Sequence, residues 1–74
     1  MDFSDDTIQE IWEKGEILQG SDPETWRLDD YGNVINRNLY KTYVSQYGWE
    51  IKILKSGFNK TEFIPVKWTE NFGK

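Results

Sequence analysis

Trp49-Glu50-Ile51-Lys52-Ile53-Leu54-Lys55 is the stretch on which the fold turns. Trp49, Ile51 and Ile53 fall at every second position, with Glu50 and Lys52 between them, which is the period of a half-buried strand. Ser56-Gly57-Phe58-Asn59 then reads as a turn, and Thr61 to Trp68 returns as a second strand. Pro65 has no amide hydrogen to give to a ladder, so it predicts a bulge or a sheet edge there. Beyond it, Thr69-Glu70-Asn71-Phe72-Gly73-Lys74 has the composition to open a helix.

Working outward from this hairpin, residues 37–47 carry mixed signals. Leu39, Tyr40, Tyr43 and Tyr47 have helical spacing, whereas Thr42, Tyr43 and Val44 favour strands, so the segment reads as irregular or a short helix. Upstream, Trp26, Leu28, Val34 and Ile35 flank Asp29-Asp30-Tyr31-Gly32-Asn33, a loop whose Gly and Asn tolerate positive φ; this predicts another hairpin. Gly20-Ser21-Asp22-Pro23 before it is a turn. The first element is a helix over residues 5–14. Ser4 caps it, Asp5 and Asp6 sit where the helix dipole favours anions, and Phe3 staples onto Ile8. Its inner stripe is Ile8, Ile11 and Trp12, and Gly15 suits a left-handed position after the last turn. The expected class is α+β: one small domain over residues 1–74, with an N-terminal helix, one or two β-hairpins and a truncated ββα C-terminal part.

Composition bounds the chemistry. A chain of 74 residues buries about 60% of the surface its unfolded form exposes, a thin margin that dimerisation would widen. There is no Cys and no His, which removes disulfides and ordinary zinc sites. Four Trp, four Tyr and four Phe must therefore supply the core, and changes at Trp12, Trp49 or Ile51 are expected to unfold it. The N-terminal Met-Asp-Phe-Ser-Asp-Asp lacks the basic and apolar regions of a secretory signal, and no run is apolar enough to span a membrane, so a cytoplasmic location is expected.

Charge is unevenly divided along the chain. Residues 1–30 hold ten acidic side chains against Lys14 and Arg27, a net of −8, while residues 31–74 hold seven basic against three acidic, a net of +4. Either the halves pair with each other, or an acidic face is displayed to a basic partner, where complementary potentials speed association and select the target. The paired carboxylates Asp5-Asp6 and Asp29-Asp30 read as helix-terminus charge and turn chemistry rather than as ion ligands.

Three stretches resemble small bacterial HNH endonuclease domains. They are Ile11-Trp12-Glu13-Lys14-Gly15 with the following Gly20, Asp22-Pro23, Trp26-Arg27, Asp29, Gly32, Ile35 and Arg37; then Tyr47-Gly48-Trp49-Glu50-Ile51; and then Pro65-Val66-Lys67-Trp68 with Asn71. The resemblance implies a ββα-metal fold in which an Asp-His pair after Tyr-Gly-Trp-Glu-Ile supplies a metal ligand and the general base. Here those positions are Lys52 and Ile53, and a His commonly found before the later Trp is replaced by Lys67. An ammonium group repels a cation, and an isoleucine has no lone pair to take a proton. The resemblance therefore implies a scaffold without nuclease chemistry, and no enzyme activity and no cofactor are expected.

The leading expectation is a non-catalytic protein-binding inhibitor, of the kind that phages and mobile elements use against host defence, anti-CRISPR proteins among them. Its binding surface is expected at Asp22, Glu24, Asp29 and Asp30, with Tyr31 as an aromatic anchor. The alternative is a nucleic-acid-binding remnant using Lys52, Lys55, Lys60 and Lys67, with Trp49, Phe58 and Trp68 as stacking surfaces. Against it, the rings serve equally as core and the lysines as guards of an open sheet edge.

Overall fold

The computed structural model describes residues 3–55 and 60–71. Its α1 helix runs Asp5–Trp12 and starts as the sequence predicts: the Ser4 hydroxyl accepts the Thr7 amide hydrogen, and Asp5 and Asp6 occupy the first turn. Ile8, Ile11 and Trp12 are its buried stripe, and Phe3 packs against the same cluster. The helix ends two residues earlier than expected. The Lys14 and Gly15 amides bond back three residues, to Ile11 and Trp12, tightening the last turn. The Arg27 guanidinium then takes the Glu13 and Gly15 carbonyls at 3.1 and 2.9 Å, a cation placed at the negative end of the helix. Gly15 does not adopt positive φ; it is buried, and a Cβ there would press on the Leu28 and Trp12 carbonyls at 3.2 Å.

Two antiparallel sheets follow. The strand β1 (Glu16–Ile17) pairs with β2 (Trp26–Leu28), which pairs with β3 (Val34–Asn36), and Gly32 supplies the positive φ of the β2–β3 turn. Only β1 lacked a sequence signal. A 3-10 turn, Arg37–Leu39, then leads into the irregular segment, and β4 (Trp49–Lys55) pairs with β5 (Thr61–Lys67). A second 3-10 turn, Trp68–Asn71, closes the described chain. The expected turn over residues 56–59 and the last residues of the expected terminal helix, 72–74, lie outside the described residues.

The β4–β5 register explains how a proline sits in a strand. The Trp68 amide donates to the Gly48 carbonyl, so even-numbered positions of the pair bond inward and odd-numbered ones point outward. Pro65 is an odd position opposite Ile51, so no ladder bond is lost and no bulge forms. The outer edge of β5 is otherwise occupied: the Lys67 amide donates to Asp29, and the Phe63 carbonyl accepts Lys14 Nζ at 2.7 Å.

Opposed residues in this register share a face. The face with Trp49, Ile51 and Phe63 meets the helix: Trp12 and Trp49 lie 5.1 Å apart between ring centroids, Phe3 meets Phe63 edge-on, and Tyr40 tilts against Trp49. Trp12, Trp49 and Ile35 are fully buried at the centre. Ile53 belongs to this face by register, yet half of its surface is exposed, because the core stops short of that end of the hairpin.

Candidate functional site

The acidic side chains are gathered by a small turn and one glutamine. In the 22–25 turn, Asp22 accepts the Glu24 amide on Oδ1 at 3.0 Å and the Thr25 hydroxyl on Oδ2 at 3.4 Å, while its carbonyl accepts the Thr25 and Trp26 amides. The Pro23 carbonyl receives both the Trp12 indole N–H at 3.0 Å and Arg27 Nε at 2.9 Å, which ties the turn onto the core. Glu24 is thereby held beside α1. There Gln9 Nε2 donates to Glu13 Oε2 at 3.0 Å and to Glu24 Oε1 at 3.3 Å, and Gln9 Oε1 accepts Arg37 Nε at 2.9 Å. Asp6 and Glu10 precede Glu13 on the exposed helix surface at helical spacing. The result is one acidic face built from α1 and the turn.

Gln9 and Glu13 were not among the residues expected at this site. The signal was present, since four residues on a helix put two side chains on one surface. What the sequence lacked was the docking of the 22–25 turn against that surface.

The other expected residues go elsewhere. Asp22 and Glu24 lie at one end of β2, whereas Asp29, Asp30 and Tyr31 lie at the other, so the five do not form one patch. Asp29, expected at the binding surface, is instead 2% exposed. Its Oδ1 accepts the Tyr31 and Asn33 amides at 2.9 and 2.8 Å, and its Oδ2 accepts Asn33 Nδ2 at 3.0 Å and the Lys67 amide at 2.8 Å. It pins the β2–β3 turn to β5 and has nothing left to offer a partner. Asp30 and Tyr31 are exposed, and the Tyr31 hydroxyl accepts Lys52 Nζ at 2.9 Å, with the ammonium also over the ring.

Among the described residues, the side-chain hydrogen bonds of the charged groups run to neutral partners. Glu13 and Glu24 are met by an amide, Asp22 by an amide hydrogen and a hydroxyl, Glu50 by the Tyr43 hydroxyl and Glu70 by Asn33. Lys14 reaches a carbonyl, Lys52 a phenol, and Lys41 the Tyr40 ring. Arg37 is the one cation these contacts bring to the acidic face, and it reaches the carboxylates only through Gln9.

The four lysines of the alternative site do not share a face. Lys52 lies on the side of the β4–β5 pair that carries Ile64, while Lys55 and Lys67 lie on the other. Lys55 pairs with Thr61 and Lys67 with Trp49, at opposite ends of the hairpin, about 20 Å apart at ordinary strand rise. Lys60 is beside Lys55, where both line an open pocket with Leu54, Thr61 and Glu62. Trp49 is buried and Trp68 half-buried with its indole N–H on the Ser45 carbonyl, so neither presents a free stacking surface; Phe58 lies outside the described residues. Of the positions singled out by the nuclease resemblance, Lys52 is engaged with Tyr31, Ile53 is half-exposed, and Asn71 Nδ2 donates to the Ile51 carbonyl at 3.2 Å. Among the described residues no three acidic side chains stand together as metal ligands, and no helix is long and apolar enough to cross a membrane.

Comparison of the chain with protein-family models, with curated proteins and with solved structures found no match in any of the three.

Proposed function

We propose that this protein is a non-catalytic inhibitor that presents the α1 and 22–25 acidic face to the basic nucleic-acid channel of an effector, and so competes with the nucleic acid. The observation that carries the reading is the convergence of Glu13 and Glu24 on the Gln9 amide nitrogen, which stands between them and the Arg37 guanidinium bonded to the oxygen of the same side chain. Carboxylates held this way keep a negative potential for a basic groove, where complementary fields raise the association rate and reject acidic competitors. The RNA-guided nucleases of bacterial defence are effectors of this chemistry, and the setting would be the host cytoplasm. On this reading the scaffold is a nuclease-like one whose metal and base positions hold Lys52, Ile53 and Lys67.

The test is to mix the purified chain with a guide-loaded nuclease and follow target-DNA cleavage and complex formation. The reading expects a stable complex, loss of cleavage at excess inhibitor, and restoration by raised salt. Undiminished cleavage across a panel of such effectors, with no complex formed, removes it. The nucleic-acid-binding alternative lacks a shared lysine face and is not favoured by the arrangement of Lys52, Lys55, Lys60 and Lys67.

A further inference from the structure

The two sheets present four outer edges, and the fold engages two of them with its own chain. On β3 the Asn36 amide donates to the Tyr47 carbonyl at 3.0 Å; on β5 the Lys67 amide donates to Asp29 and the Phe63 carbonyl accepts Lys14. The edge of β4 is met only at its start, where the Trp49 carbonyl accepts the Lys41 amide at 2.6 Å and the Ile51 carbonyl accepts Asn71 Nδ2 at 3.2 Å. Beyond that point Ile53 and Lys55, odd positions of the pair, turn their amides and carbonyls outward. Parity opens β1 in the same way. The Asp29 amide donates to the Asn33 carbonyl and the Arg37 amide to the Thr25 carbonyl, so odd residues of β2 bond to β3 and even ones to β1. Ile17, opposite Arg27, therefore turns its amide and carbonyl outward. Among the described residues, these outward groups of Ile17, Ile53 and Lys55 meet no hydrogen-bond partner.

Both open edges display an aliphatic side chain that the fold leaves uncovered: Ile17 is 61% exposed and Ile53 50%. Their charges are opposite. Glu16 is the exposed ionisable side chain of β1, whereas β4 carries Lys52 and the exposed Lys55 at its open end. Charged side chains often guard an unpaired edge against other chains. Two of the nearby cations are turned away from that task, since Lys52 Nζ donates to the Tyr31 hydroxyl and Lys14 Nζ to the Phe63 carbonyl.

We propose that the occupant of each open edge is a second copy of this chain, with β1 of one molecule adding antiparallel to β4 of the next and Ile17 opposite Ile53. In that register the two isoleucines exchange both backbone hydrogen bonds and lie side by side on one face. Glu16 falls on the other face, opposite Leu54 of the next copy and diagonal to its Lys52, a spacing of about 7–8 Å that two long side chains can bridge. A slip of one residue would present groups that already bond within their own sheets. The competing arrangement, β4 against β4 about Ile53, sets Lys52 diagonal to Lys52, so charge favours β1 as the strand that β4 receives. Because each molecule has one edge of each kind, the contact runs head to tail. A strand of two residues keeps it well below the about 1,200–2,000 Å² of a stable interface, so the association is weak and grows with concentration. It uses neither Glu13 nor Glu24 and stands independently of the inhibitor reading.

The experiment is sedimentation velocity of the full chain from micromolar into millimolar concentration, beside Ile17→Lys, Ile53→Lys and an equimolar mixture of the two variants. The parent's sedimentation coefficient is expected to rise with concentration, while each variant alone associates at least about tenfold more weakly. The mixture is expected to form a dimer and nothing larger, because Ile17→Lys keeps a working β4 edge and Ile53→Lys a working β1 edge. Should Ile53→Lys lose the parent's circular dichroism spectrum, Ile53→Thr, which keeps the strand preference of a β-branched side chain, takes its place. A parent that stays monomeric throughout overturns the proposal. Association that survives Ile17→Lys overturns it too, since β4 would then be pairing with something other than β1. A mixture of folded variants that stays monomeric overturns it as well.

Discussion

The Asp29 carboxylate collects four donors from three places in the chain: its own turn's Tyr31 and Asn33 amides, the Asn33 side chain, and the Lys67 amide of β5. Asp29→Asn puts two N–H groups where donors already point, and is expected to lose about 2–4 kcal/mol of stability. Asp30→Asn, at an exposed position, is expected to stay within about 0.5 kcal/mol of the parent. Urea denaturation of the two variants checks this, and equal midpoints would contradict it. In sequence the two aspartates look alike. What separates them is a contact 38 residues away, which no local pattern carries. Tyr43 illustrates the same limit. Partial burial and its hydrogen bond to Glu50 hold its phenol above the usual 10.0. Because a raised value favours the neutral form in the folded state, this stabilisation is present below pH 10.0 and is lost as pH rises through the folded value. Alkaline unfolding of Tyr43→Phe should therefore show a shallower fall above pH 10.0 than the parent; an unchanged slope would remove the effect.

Elements were legible where a period or a cap repeats the same message. The start of α1 was plain from Ser4, Asp5 and Asp6, and β4 from its alternation, because each signal is local. Ser4→Ala is expected to cost about 1 kcal/mol, readable as a lower melting temperature. Trp12→Ala removes a fully buried ring and the indole bond to Pro23; a loss of about 3–5 kcal/mol exceeds what so small a domain can bear, so its far-ultraviolet circular dichroism should be that of an unfolded chain. Retained native spectra would contradict the core assignment. The end of α1 and the existence of β1 were not legible. Two residues of strand have no period to detect, and the helix stops where Arg27, distant in sequence, takes the Glu13 and Gly15 carbonyls just beyond its last residue. Pro65 was readable as an edge signal, and the outward parity of its position accounts for the absence of a bulge.

At the scale of the whole molecule, the unequal division of charge was visible at once, but its consequence was not. Composition left two outcomes open, mutual neutralisation or a displayed acidic face, and the bonded partners of Glu13, Glu24 and Asp22 favour the second. Of the residues expected at a binding surface, Asp22 and Glu24 lie in the turn beside α1 and Asp29 is internal, while Gln9 and Glu13 meet Glu24 only through tertiary docking. The most direct measurement compares the parent with a Glu13→Lys, Glu24→Lys double variant for binding to a guide-loaded nuclease by calorimetry. The account predicts binding by the parent and a loss of at least about tenfold in the variant, at a melting temperature within a few degrees of the parent's. Equal affinity of the two proteins, or no binding by either, would contradict it.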